Sequence, residues 1–513
     1  MRQPVNTVRA RDSASRAAGA VGKRRGCAAL VAFVITAATA LQAGAAVLGP
    51  GDARHLLHRT GFAASPSEVD TYSRLTRTQA VERLLSESRG EAVTPAPAWT
   101  REPFESPRRL RNATPEERQA WQRERREKGI ELRAWWLEEM RVTPSPLTEK
   151  MTLFWHNHFV SSDQKVRSPQ LMYRQNALLR RHGLGNFGTL LHDIARDPAM
   201  VIYLDSASNR KGHPNENFAR EVMELFTLGE GRYSEQDIKE AARAFTGWSI
   251  DLERGEFLFR AAQHDDGLKT VLGKSGNLNG GDVLDALLAD AHTSEHIVEK
   301  LWRELVSPAP DPAEVKRIGR LFRESGYDIR TALRALLTAD AFYAASNRAA
   351  LIKSPVDLVV GTLRQFRVIT GDMMPFAFTV AQLGQNLFAP PNVKGWAGGE
   401  AWINSTTLLA RKQFLERLFR AQETQPVMAV MAARERVNAS AAAGADDRRS
   451  RMARALADVR FDPQLWLAQF RPGETAAPER IILAAAPEKP VPAGVQGVDA
   501  LKLLTQDAVY QLK

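Results

Sequence analysis

From residue 52 onward the chain is punctuated by helix-start signals with proline at the first helical position. Ser65-Pro66-Ser67-Glu68, Thr114-Pro115-Glu116-Glu117 and Asp311-Pro312-Ala313-Glu314 are three of them. Each places an oxygen acceptor at the N-cap and a carboxylate three residues on, where the bare amides of a first turn need partners. Behind them apolar residues recur at spacings of three and four, as in Val315, Ile318, Leu321 and Phe322. About fifteen such segments follow one another, so the expected fold is all-α, a large multi-helix domain over residues 46–420. One stretch has a different period: Glu256–Arg260 and Leu268–Leu272 flank Asp265-Asp266-Gly267, which predicts a small β-hairpin insert at about 250–275. The Pro- and charge-rich segment from Glu91 to Pro115 reads as a surface linker. The helix after it alternates Arg and Glu and is expected to dock through Trp135-Trp136. Residues 421–513 read as an Ala/Pro-rich helical extension, and no fixed-period repeat is present.

The N-terminus follows another grammar. Arg2, Arg9, Arg11, Arg16, Lys23, Arg24 and Arg25 precede an uncharged run from Cys27 to Leu41, and Ala43-Gly44-Ala45 supplies an A-x-A site. This pattern is that of a secretory signal peptide over residues 1–45. An uncleaved anchor over Cys27–Gly49 is the alternative. The segment also carries most of the charge: seven basic groups and Asp12 give +6 of the net +11, leaving +5 on the remaining 468 residues. That residue of charge does not argue for nucleic acid. Removal of the segment removes the single cysteine, and with it disulfides, thiolate metal sites and a thiol nucleophile.

Several familiar patterns fail on context. Gly183-Leu184-Gly185-Asn186-Phe187-Gly188 fits G-x-G-x-x-G, but a helix precedes it where a dinucleotide site needs a strand; Gly183 is expected to end that helix and Asn186 to cap the next. Gly273-Lys274-Ser275 lacks the first glycine of a P-loop, because Leu268 stands there. Ser162-Asp163-Gln164-Lys165 fits S-x-x-K without a supporting motif. Asp205–Glu216 has calcium-loop length, but Ala207, Arg210 and Lys211 spoil it, which leaves an ordinary polar loop.

Four segments concentrate polar residues beside aromatics: Phe154-Trp155-His156-Asn157-His158-Phe159; Asn209 to Gly229; Ala241 to Trp248 with His264-Asp265; and Pro390-Pro391-Asn392-Val393-Lys394-Gly395-Trp396 with Gly398-Gly399 and Trp402. In order and spacing, together with Leu57-His58-Arg59-Thr60-Gly61-Phe62 and Ile352-Lys353-Ser354-Pro355, they resemble the bacterial domain-of-unknown-function family 1800 over roughly residues 50–420. The resemblance implies an exported, largely helical bacterial protein with no established activity. It also implies a possible partner, since family members are often encoded beside exported proteins resembling alkaline phosphatases and sulfatases.

The residues themselves suggest where chemistry would sit. On a helix turning ~100° per residue, His156 and His158 lie about 200° apart, so one helix cannot give both imidazoles to one ion. His158 falls among Met151, Phe154 and Trp155 as a core histidine, while His156 is freer. His156 and Glu216 are therefore the acid–base candidates, with His264 and Asp265 expected to converge on them. Glu216-Arg220-Glu224 forms an i,i+4 ladder that is equally a solvated face. The helix opens on Pro214-Asn215, making Asn215, Asn217 and Arg220 binding candidates at its positive end. Trp396 and Trp402, beside Gly-rich backbone, either stack on a sugar ring or pack loops together, and Lys394 is a further binding candidate next to them. A divalent metal is compatible with these donors, its identity open. Two functions fit: a hydrolase-like enzyme acting on an envelope or extracellular polymer, or a non-catalytic module that binds a glycan or scaffolds an exported phosphatase- or sulfatase-like partner.

Overall fold

The computed structural model describes residues 46–423, 458–470 and 476–513. The expected signal segment, residues 1–45, lies outside them. Helix takes 61% and strand 6% of the structure, so the chain is mostly helical with a small hairpin insert. Among the described residues no helix is long and apolar enough to cross a membrane.

The capping grammar holds in detail. Ser65 and Thr114 form reciprocal capping boxes with Glu68 and Glu117. Asp311 caps Ala313 and Glu314, but the Glu314 carboxylate turns instead to Arg317 at 2.7 Å. Gly183 closes the Pro169–His182 helix, and Asn186 caps Phe187–Ala195 through the Thr189 amide. Trp135 and Trp136 are buried and dock their helix, Pro115–Val142, as expected. The preceding segment is a pinned strap. The Val93 and Thr94 amides donate to the buried Glu139 carboxylate, and Gln170 Nε2 donates to the carbonyls of Trp99, Glu102 and Pro103.

Two apolar clusters make the core. One gathers the N-terminal helices with Pro146–His158, Glu235–Ala244 and Ala291–Leu305 through Ile329–Leu337. The other packs Pro115–Val142, Pro355–Gln365 and Met374–Gln382 against the described C-terminal residues, with Trp466 and Tyr510 almost wholly enclosed. Trp466 Nε1 donates to the Gln365 carbonyl at 2.7 Å, and Ile352 bridges Leu512. The C-terminal segment thus completes the second cluster.

The hairpin insert is real, but its pairing differs from expectation. Strand β1 (Trp248–Asp251) pairs antiparallel with β2 (Glu256–Phe259), and β3 (Lys269–Val271) pairs with β4 (Lys274–Gly276). Asp265-Asp266-Gly267 connects the two hairpins rather than turning one. The tight turn is Leu272-Gly273, with φ of +49° and +77°, the mirror-image turn geometry that suits the twist of a two-residue hairpin.

Candidate functional site

Three of the motif segments meet at one face. The Pro146–His158 helix ends beside the 390–396 loop, where Asn157 Oδ1 accepts the Trp396 amide at 2.8 Å and Asn157 Nδ2 donates to the Trp396 carbonyl at 3.3 Å. Gly395, at φ +78°, passes so close that a Cβ would sit on the Asn157 amide oxygen, so only glycine fits. This clasp sets Lys394 on the outside, where its ammonium lies 3.0 Å from Glu230 and 3.7 Å from Glu224.

Glu224 comes from the Asn209–Gly229 segment, whose helix is not uniform. Asn217–Glu221 is α-helical, and Val222–Thr227 continues as a π-helix, closed by Leu228 N–H to Met223 O and Thr227 Oγ1 to Val222 O. Wide turns of this kind are rare and concentrate at functional sites. The extra residue takes Glu224 off the expected ladder. Arg220 pairs with Glu216 at 3.3 Å and with Glu235 at 2.8 Å, while Glu224 accepts the Tyr233 hydroxyl at 2.9 Å.

The widened turn also frees carbonyls, and three side chains from behind take them. His158 Nε2 lies 3.2 Å from Phe226 O, while His296 Nε2 and Lys300 Nζ lie 3.3 and 3.0 Å from Leu225 O. Lys300 also donates to His158 Nδ1 at 3.3 Å. Burial and then Arg303 push the Lys300 ammonium down to about 8. Gly229, at φ +87°, packs against His296, closing the turn from the other side.

Glu221 stands one turn before Glu224, half-buried. Its carboxylate makes no hydrogen bond or ion pair among the described residues. Burial first, then the neighbouring Glu224, hold it above the ordinary carboxylate range against the pull of Lys394 and Arg220. Tyr203, half-buried beside it, is raised by burial and by Glu221. A carboxyl raised by burial therefore adjoins one that accepts a phenol and lies near an ammonium.

The sequence candidates distribute differently from expectation. His156 does not reach this face: it is 1% exposed, its Nε2 accepts the Phe388 amide at 3.2 Å, and its ring meets the edge of Trp136. Burial and Arg133 push it down to about 3, so it stays neutral inside the wall. Glu216 is partly buried and paired with Arg220. Asp265 is bound by Arg243 at 2.8 Å and lowered to about 2, first by that bond; its second oxygen takes the Gly267 amide. His264 Nδ1 lies 2.9 Å from the Thr246 carbonyl. These two close the connection between hairpins, and no hydrogen bond or ion pair joins them to His156 or Glu216. Asn215 and Asn217 serve the loop: Asn215 Oδ1 accepts the Asn217 amide, and Asn217 Nδ2 donates to Leu204 O. Trp396 and Trp402 are 6% and 8% exposed and pack loops together, leaving little ring for a ligand. Asp205 pairs with Lys165, as an ordinary polar loop would. Among the described residues no group of three His, Cys, Asp or Glu is placed to hold a metal ion. A cleft of about 360 Å³ lies elsewhere, between Thr60, Glu68, Tyr72, Arg83 and Pro146, away from all of these residues.

Helical architecture with its chemistry on one motif-built face defines the class. The chain belongs to the family described as protein of unknown function (DUF1800), which matches residues 55–511 and so continues well past the last motif near 402. No curated protein and no solved structure matches.

Proposed function

We propose that this chain is an exported bacterial enzyme of hydrolase type, working on an envelope or extracellular polymer through the carboxyl pair Glu221 and Glu224. The observation that carries the reading is the unpartnered, half-buried Glu221 carboxyl, raised by burial and by Glu224. In the proposed reaction Glu221 delivers its proton to the leaving oxygen of the bond being cleaved. Glu224, positioned by the Tyr233 hydroxyl and beside Lys394, removes a proton from the attacking water. The π-turn sets the relative position of the two groups, and the carbonyl bonds from His158, His296 and Lys300 hold it. Export rests on the N-terminal pattern of basic, apolar and small residues.

Burial of Trp396 and Trp402 speaks against the glycan-stacking module. The test is to incubate the purified protein with peptidoglycan, neutral polysaccharides and sulfated polysaccharides and follow new reducing ends or released amines. Turnover that Glu221→Gln removes while the unfolding midpoint stays unchanged supports the assignment. Turnover that survives both Glu221→Gln and Glu224→Gln overturns it.

A further inference from the structure

The interior holds a second polar constellation that the surface site does not use. Arg54 and His58 on the Gly49–Thr60 helix, Lys353 ahead of the Pro355–Gln365 helix, Arg411 on the Ser405–Glu423 helix and Gln511 near the last residues are all 5% exposed or less. The nearby carboxylates are already committed. Lys150 lies 2.9 Å from Asp357 and 2.8 Å from Glu304, and Lys513 lies 2.6 Å from Asp357. Lys150 and Lys513 thus take up the two acids, and the Arg54, Lys353 and Arg411 side chains form no ion pair among the described residues.

Their hydrogen bonds do not replace one. Arg54 Nε donates to Ile481 O, and Arg411 donates to Lys353 O and Gln511 Oε1. The Lys353 ammonium makes no hydrogen bond among the described residues and rests 3.7 Å above the Tyr510 ring. The buried atoms left without a partner include His58 Nε2, Arg411 Nε and Gln511 Nε2. Arg54 Nη2 donates to His58 Nδ1 at 3.4 Å, which places the imidazole proton on Nε2. Every unsatisfied group of the constellation is therefore a donor. The groups also sense one another: burial and then Arg54 hold His58 well below its ordinary value, with Lys353 next, and burial, Arg54 and Arg411 do the same to Lys353 against the pull of Asp357. Burying several unmatched charges and donors together is costly unless an acceptor of opposite charge joins them. A water offers two lone pairs and no charge.

We infer that a small inorganic anion is held inside the protein among Arg54, His58, Lys353, Arg411 and Gln511, joining the N-terminal helix to the C-terminal segment. Halide and oxyanion share the required chemistry, and the test separates them. The purified full-length protein is desalted into gluconate buffer, denatured, and the released anions are measured by ion chromatography. In parallel the thermal midpoint is followed in millimolar sodium chloride, phosphate or sulfate, with ionic strength held constant by gluconate. The expected result is a stoichiometric amount of one anion, or a saturable rise in midpoint with one of them. Chloride would indicate a halide site, and phosphate or sulfate an oxyanion site. In Lys353→Met both signals should fall at least tenfold, and Glu253→Gln, on the surface, should leave them unchanged. Should Lys353→Met not fold, the wild-type release measurement still decides. No released anion together with no saturable shift from any of the three overturns the inference.

Discussion

Four of the ten histidines are buried and a fifth, His296, is largely covered, and all five are held neutral, which makes the fold vulnerable to mild acid. Burial, with nearby cations, puts His55 and His156 at about 3 and His296 at about 4, and holds His58 and His158 well below the ordinary value. In the unfolded chain each titrates near about 6.5. Because the folded values are depressed, the unfolded chain binds the extra protons. The stability is present in full above about pH 6.5 and is lost as the pH falls toward the folded values. At pH 5.5 linkage removes about 1 kcal/mol for each imidazole kept neutral in the fold, several kcal/mol together. Asp197 opposes them: burial raises its carboxyl to about 7, so there the folded state binds the proton first. It returns about 2 kcal/mol over the same range, leaving a net loss of a few kcal/mol, a large share of the stability of an ordinary domain. Urea unfolding followed by tryptophan fluorescence at pH 8, 7, 6.5, 6 and 5.5 measures this directly. The midpoint should fall as the pH drops, most steeply below about pH 6.5 where the imidazoles add to the slope already set by Lys300 and Lys353. A midpoint that is level or rises between pH 7 and 5.5 would show that these imidazoles take up protons in the folded state.

Asp357→Asn should lose about 3–5 kcal/mol, because Lys150 and Lys513 are then left with Glu304 alone; Asp357→Asn with Lys513→Met should recover part of it, since Lys150 keeps Glu304. Denaturant titration of both variants tests this, and equal losses would refute the coupling. Gly395→Ala forces a side chain into positive φ and onto Asn157; a loss of about 1–3 kcal/mol is expected by thermal melt. His156→Ala strips the buried Phe388 amide of its acceptor and should cost at least about 1–3 kcal/mol in the same assay; an unshifted midpoint would return His156 to the list of functional residues.

Much of the fold was legible because helix starts are local chemistry. Ser65, Thr114 and Asn186 do what their neighbours in sequence demand. The hairpins were misjoined because Trp248 read as the end of a motif rather than the start of a strand, and because the deciding turn runs through Leu272, whose left-handed backbone no propensity announces. The site was half visible. Glu221 and Glu224 lie in a recognised segment, but a uniform helix of 3.6 residues per turn assigns Glu224 to the Arg220 ladder, and nothing in the residues marks the π-turn that removes it. His296 and Lys300, which seize the freed carbonyls, come from a helix without a motif. His156 looked free on a helical wheel, which cannot register that the Phe388 backbone covers it from a distant stretch of chain.

Burial and the neighbouring Glu224 raise the Glu221 carboxyl, and the proposed acid role depends on that. Carbon-13 NMR of glutamate-labelled protein, titrated between pH 7 and 8 and down to the onset of unfolding, reads this without any substrate. One carboxyl should titrate above the ordinary glutamate value of about 4.3 and vanish from the spectrum in Glu221→Gln. It should move down in Glu224→Gln, which removes a neighbouring negative charge, and up in Lys394→Met, which removes a positive one. A spectrum in which Glu221 titrates at or below the ordinary value, and ignores both substitutions, would contradict the carboxyl pair and the enzyme built on it.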